Sequence, residues 1–337
     1  MRSTYISIPA AFVCMLFAFT TVQAQLFKIG SQAPERSIWG KALKEIAKDV
    51  KLASDGKVKF KIYHGGVQGD EQMILKKMRV KQLHGAAFIG QGLAIVYPDS
   101  LALTLPAMFD SQEEFEYVLE KIRPDIAQGC RQKGYEILGY PQLGFAYAFS
   151  RDRIESIEDL KGAKPWLIKG DVMSSELFDV LNTTPVSASV ADVLPALNSG
   201  LIRMVFSPPY GVIALQWHDK LSYRLDREII PATGVLLVDR RRWDKIPGAM
   251  QEKIQTIIAR HVKKLNKGVV ASNLEAIAVM EKRGLESLPV SEAMEKVVQD
   301  ASDEVGRRLS GDAFAAEFLA KLRKYVAEYR AENSDGE

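Results

Sequence analysis

Residues 26–69 read LFKIGSQAPERSIWGKALKEIAKDVKLASDGKVKFKIYHGGVQG, and this stretch decides the fold. Leu26-Phe27-Lys28-Ile29 opens as a strand. Ile38, Trp39, Ala42, Leu43, Ile46, Ala47 and Val50 then recur at helical spacing, the period of an amphipathic helix with one covered face. Val58, Phe60 and Ile62 alternate with Lys57, Lys59 and Lys61, as a strand covered on one side does. A strand, a helix and a second strand in that order predict a parallel βαβ unit.

The same grammar continues along the chain. Asp70 is predicted to cap a helix with Ile74, Met78 and Val80 on its apolar side, and Ala86 to Ile89 is a short buried strand. Asp110-Ser111-Gln112-Glu113 reads as a capping-box variant. Ser189 caps a helix through Leu197, Gly200 ends it, and Leu201 to Phe206 returns as a strand. Met250, Ile254, Ile257, Ile258, Val262 and Leu265 mark one long amphipathic helix after Pro247. A last helix is expected from Ala313 to Tyr329, with a frayed tail at 331–337. No repeat or low-complexity linker interrupts the chain, which favours lobes joined by crossing strands over domains on a tether.

The N-terminus reads as an export signal. Arg2 supplies the charge, Ile6 to Phe19 is almost wholly apolar, and Val22-Gln23-Ala24 offers small residues for cleavage after Ala24, the three parts of a signal peptide. The apolar run is shorter than the roughly 20 residues of a spanning helix. Periplasmic localisation is the expectation. Cys14 lies in that segment, so Cys130 would be alone in the mature chain and no internal disulfide can form. The net charge of +3 is too balanced for a nucleic-acid footprint.

Motifs of catalysis are incomplete. His64-Gly65-Gly66 looks like an oxyanion loop, but no Gly-x-Ser-x-Gly turn supplies a nucleophile. Gly90-Gln91-Gly92 lacks the third glycine of a dinucleotide fingerprint, since Ile95 stands in its place. His64, His84, His218 and His261 share no metal-ligand spacing. No enzyme activity, cofactor or metal is therefore expected.

Several segments together resemble the DctP-like solute-binding proteins of tripartite ATP-independent periplasmic (TRAP) transporters. They are Gly65-Gly66-Val67-Gln68-Gly69-Asp70-Glu71, Leu105-Pro106-Ala107-Met108-Phe109, Glu158-Asp159-Leu160-Lys161-Gly162-Ala163-Lys164, Val193-Leu194-Pro195-Ala196-Leu197-Asn198-Ser199-Gly200-Leu201-Ile202 and Arg242-Trp243-Asp244-Lys245-Ile246-Pro247. The resemblance implies an α/β, two-lobed periplasmic binding protein fold, with mixed sheets flanked by helices and a long helix spanning both lobes. Lobe I is expected over 26–147 plus 232–275, and lobe II over 148–231 plus 276–330. It also implies a small-molecule ligand and the membrane permease subunits of a TRAP transporter as partners.

Most members of that family hold an organic acid with an arginine after Asp-Leu-Lys-Gly, where bidentate geometry suits a carboxylate. Here Trp166 falls at that position, and Ala146 at a second position that is basic in some members. A carboxylate closed into a cleft without a cation costs several kcal/mol, so the expected ligand is apolar or amphipathic. Trp166, Tyr210, Trp217, Phe109, Phe149 and Pro209 are the expected walls, with Gln68, Gln91 and Gln216 as hydrogen-bonding groups. Members that handle such ligands add a tetratricopeptide-repeat periplasmic protein to the partners that the resemblance implies. Two alternatives stand beside this reading: an organic acid held by Lys169, Arg151 or Arg203, and an exported docking protein on the same fold.

Overall fold

The computed structural model describes residues 24–333; the segment before Ala24, expected as a signal peptide, and the tail after Asn333 lie outside the described residues. The opening unit forms as its periodicity predicts. Strand β1 (Gln25–Ser31) and strand β2 (Val58–Tyr63) pair in parallel, connected by the helix Ile38–Ala53. Phe27, Ile29, Val58 and Phe60 turn to one side of this pair and meet Leu43, Ile46 and Val50 of the helix, with Ile254 and Ile258 from the long helix Gly248–Glu281. Ser37 caps the first helix by accepting the Gly40 N–H at 3.0 Å, satisfying one of the donors that a helix start leaves open.

The remaining strands are β3 (Gly85–Ile89), β4 (Tyr135–Gly139), β5 (Gln142–Ser150), β6 (Trp166–Ile168), β7 (Val186–Ala188), β8 (Met204–Ser207), β9 (Tyr223–Leu225), β10 (Ile230–Asp239) and β11 (Glu286–Leu288). The main sheet runs β11-β9-β5-β10-β3-β1-β2, with β4 added on β10 and β8 on β5. β1 to β3 pair in parallel, β10 runs antiparallel to β3, β4 and β5, and β6 with β7 forms a separate parallel pair. The sheet is mixed, as expected. β5 and β10 join its two ends: the first half of each pairs with the other, while the second halves diverge to β8 and β9 or to β3 and β4. The long helix packs on the helix Ile38–Ala53, on β4 and β5, and on the short helix Pro209–Ala214, so it braces both ends. The result is the two-lobed fold.

Local readings shift in places. The cap of the helix Gln112–Gln132 is Ser111, one residue later than expected: Ser111 accepts the Glu114 N–H at 3.1 Å, and Glu114 reaches back to the Asp110 N–H. Val80 is exposed, because the helix Glu71–Arg79 ends before it and only Ile74, Leu75 and Met78 face the core. The last helix starts at Ala316, and Ala331 to Asn333 form its final turn instead of fraying. Phe318, Leu322 and Val326 of that helix bury against the core of the helix Gln112–Gln132. The chain after 316, expected with lobe II, thus lies on a segment expected in lobe I, because its apolar face has its partner there. Cys130 is free and buried, and burial pushes its thiol up to about 12.

Candidate ligand-binding site

A cavity of about 240 Å³ lies where the ends of the sheet meet. Its walls come from both sides of the crossing strands: Ser31 to Pro34 and Trp39 with Ala87 to Gln91 on one side, and Trp166, Ile168, Asp171, Phe178, Phe206, Pro208 and Trp217 on the other. Pro141, Leu143 and Ile229 to Gly234 form its floor, and Val262 and Leu265 of the long helix close the back. The surface is apolar almost throughout. None of the described residues that line it is Lys, Arg or His, and Asp171 is its one charged side chain.

Trp166 is positioned by its short strand. Its register partner on β7 is Val186, and its Nε1–H donates to the Ala188 carbonyl at 3.0 Å. Its ring stands edge-on to Trp217, with centroids 5.3 Å apart at 78°, the arrangement that aromatic quadrupoles favour. Trp166 is 6% exposed and packs with Phe149, Val193, Leu197 and Val205. It is core on one face and cavity wall on another. Across the cleft, Trp39 stands edge-on to Tyr210 at 5.3 Å, and the Tyr210 hydroxyl accepts the Ile38 N–H at 3.1 Å.

The polar groups gather at one end. Asp171 is the N-cap of the helix Val172–Val180: Oδ1 accepts the Ser174 N–H at 3.1 Å and Oδ2 the Ser174 hydroxyl at 2.6 Å. Gln91 Nε2 reaches Oδ2 from the opposite side at 3.3 Å. Burial pushes the Asp171 carboxyl above the usual carboxylate range. Behind Gln91, the buried Glu71 accepts the Ile89 N–H at 2.7 Å and a backbone bond from Gly92, so it caps the helix Gly90–Val96, which has no capping side chain of its own. Burial raises Glu71 to about 8. Gly92 leaves the space for this, since a Cβ there would fall 2.7 Å from Glu71 Oε2. Gly92, the second glycine of what looks like half a nucleotide motif, thus makes room for a carboxyl bonded to the backbone on either side of Gln91. Among the described residues no group of His, Cys, Asp and Glu side chains could hold a metal ion.

A family model described as "Bacterial extracellular solute-binding protein, family 7" (DctP) matches residues 29–312. The chain belongs to the DctP family. Its relatives include a solute-binding protein of Chromohalobacter salexigens, 25% identical over 54% of this chain and 55% of its own length. A second is the sialic acid-binding periplasmic protein SiaP of Vibrio cholerae, 20% identical over 89% of this chain and 95% of its own. Among solved structures, a TRAP periplasmic solute-binding protein of Xanthobacter autotrophicus with bound β-D-galacturonate superposes with a TM-score of 0.81 at 18% identity, over 89% of this chain and 99% of the other. One from Haemophilus influenzae with bound L-gulonate gives 0.81 at 21% identity, over 90% and 99%. The DctP chain is therefore a TRAP-type solute-binding protein and not an enzyme. Proteins of this kind bind small molecules and deliver them to membrane permease subunits. The family is periplasmic, and no helix among the described residues is long and apolar enough to cross a membrane.

Of the residues expected at the site, Trp166, Trp217 and Gln91 line the cavity of this DctP protein. Tyr210 stands beside it through Trp39. Pro209 is buried as the first residue of its helix, and its neighbour Pro208 takes the wall. Phe109 and Phe149 are fully buried core, Phe109 edge-on to Phe115. Gln68 is turned away, its side-chain and main-chain oxygens accepting Lys77 Nζ at 3.0 and 2.8 Å. Gln216 is exposed at a positive φ of 61°. Lys169 and Arg203 do not reach the cavity: Lys169 is 62% exposed and faces Asp70 at 3.7 Å, and Arg203 is paired with Asp152. Arg151 is exposed as well.

The residues that the sequence reading missed are Trp39, Phe178, Phe206 and Asp171. Trp39 was hidden in the helical repeat, since its position on the apolar stripe is the same whether it meets sheet or cavity. Asp171 follows the Trp166 strand directly, and that proximity was the available signal.

Proposed function

We propose that this chain binds a small apolar or amphipathic molecule in the cavity and delivers it to a TRAP permease by closure of its lobes. The observation that carries this reading is the lining itself: Trp39, Trp166, Trp217 and Phe206 with no cation among them. An apolar wall with a few placed polar groups favours a weakly polar ligand. A carboxylate in the same space would stand near the Asp171 carboxyl without a counter-charge, at a cost of several kcal/mol. Lobe borders of 26–147 plus 232–275 and 148–231 plus 276–315 belong to the proposal, with the last helix carried on the first lobe. So do cleavage after Ala24 and a tetratricopeptide-repeat partner, the latter resting on Trp166 in the arginine position.

The test is mass spectrometry of solvent extracts from protein purified out of its own periplasm, which should release a weakly polar molecule. Tight binding of a uronate or dicarboxylate by calorimetry, unchanged in Trp166→Phe, would sink the reading.

A second reading is an organic acid, favoured by the galacturonate, gulonate and orotic acid that the similar structures hold. It requires Lys169 or Arg203 to leave its present carboxylate for the cavity. Loss of acid binding in Lys169→Ala or Arg203→Ala would establish it.

A further inference from the structure

Asp171 lies where a helix cap has no need to be. The capping bond asks only for an oxygen near the Ser174 N–H, and exposed aspartates supply that without desolvation. This carboxyl is 4% exposed and forms part of the cavity wall. Taking a carboxylate out of water against apolar groups is costly unless its oxygens are supplied with donors. Its donors are all neutral: Ser174 N–H and hydroxyl, a Met173 backbone N–H, and Gln91. Lys169, the nearest cation in sequence, faces Asp70 instead.

The Gln91 bond differs from the others. At 3.3 Å it is longer than either bond from Ser174, and it alone comes from the opposite wall. The remaining donors belong to the helix that Asp171 caps and move with it. Parting of the walls would take Gln91 away and leave Oδ2 facing the open cavity, and on closure a donor of the ligand would take the Gln91 position. Gln91, with two donors and an acceptor, can then bond the same ligand group from its other side.

Resting on the apolar-ligand reading, we infer that the ligand carries a hydrogen-bond donor, a hydroxyl or an ammonium, that sits on Asp171 Oδ2 between Gln91 and Ser174, with its apolar body against Trp166 and Trp217. The chemistry is the reverse of acid recognition by an arginine. Asp171 selects the head group and the tryptophans select the tail.

The test uses two sets of probes with one tail and three heads: octan-1-ol, octylamine and octanoate, and 3-phenylpropan-1-ol, 3-phenylpropylamine and 3-phenylpropanoate. Binding to the full mature chain is read by calorimetry and by tryptophan fluorescence, since three of the four tryptophans line the cavity or its mouth. In one set at least, the alcohol or the amine should bind tenfold or more tightly than the acid. The stronger head tells whether a hydroxyl or an ammonium is meant. Asp171→Asn keeps a capping side chain, and should reduce the advantage of the stronger head over the acid, and remove any advantage of the amine over the alcohol. Asp171→Ser, also a capping residue, should do the same if the first variant folds poorly. Acids binding as tightly as alcohols and amines, or a preference that survives in both variants, overturns the inference and leaves the apolar cavity standing. Failure of every probe overturns both.

Discussion

Trp166 offers the sharpest test because it serves the core and the cavity at once. Trp166→Ala removes an indole that is 6% exposed, edge-on to Trp217 and part of the buried cluster that holds Phe149 and Val205. Buried Trp→Ala changes cost about 3–5 kcal/mol. At roughly 2–4 °C per kcal/mol for a chain of this order of size, the melting temperature should fall by about 10 °C. Trp166→Phe separates the terms. It keeps a ring against Trp217 but deletes the Nε1–H, leaving the Ala188 carbonyl without its donor at 3.0 Å. One hydrogen bond of this kind is worth about 1 kcal/mol, and the smaller ring adds a comparable loss, so a fall of roughly 5 °C is expected. Calorimetric melts of the three proteins, with and without the best probe above, provide the assay. The probe should raise the melting temperature of wild type most, of Trp166→Phe less and of Trp166→Ala least. Equal ligand-induced shifts in all three would refute the claim that Trp166 is a wall of the site. An unchanged melting temperature in Trp166→Ala would refute its place in the core.

Other substitutions probe the frame around the site. Glu71 is held neutral well into the neutral range by burial, with its carboxyl raised to about 8. The folded state therefore binds a proton that the unfolded state releases above about 4.5, and stability should fall as pH rises from 4.5 to 8, by up to ~1.4 kcal/mol per pH unit. Denaturant titrations across that window should show the slope flattened in Glu71→Gln. Gly40→Ala places a Cβ against the Pro34 carbonyl, inside van der Waals contact. Because backbone must move, a loss of ~3 kcal/mol is expected, with weaker probe binding, since Pro34 lines the cavity. Lys169→Ala should change stability by less than about 0.5 kcal/mol, as exposed substitutions do, and should leave binding of the uncharged probes unchanged. Trp166→Arg should melt well below wild type and gain a uronate-dependent rise in melting temperature that wild type lacks, because the acid would pair a charge otherwise buried alone.

What the sequence determined by itself was set by short-range periodicity. The alternation in Lys57 to Ile62 and the helical stripe from Ile38 to Val50 fix strand, helix and the faces they bury, because a residue's direction follows from its place in a local repeat. Gly200, at φ +73°, ends its helix as expected, again a local event. The family order of motifs carried the two-lobed architecture, because it reads out along the chain without reference to what packs on what. The tertiary structure decided which buried groups face protein and which face the cavity. Phe109 and Trp217 look alike in sequence, both large and both buried, yet one fills the core beside Phe115 and the other lines the cleft. Burial is a sum over neighbours distant in the chain, so no local pattern separates them. The same holds for Asp171 and Gln91, 80 residues apart, which meet only because β5 and β10 bring the two walls together. The last helix chose the core of Gln112–Gln132 for the same reason: its apolar face is local information, but its partner is not.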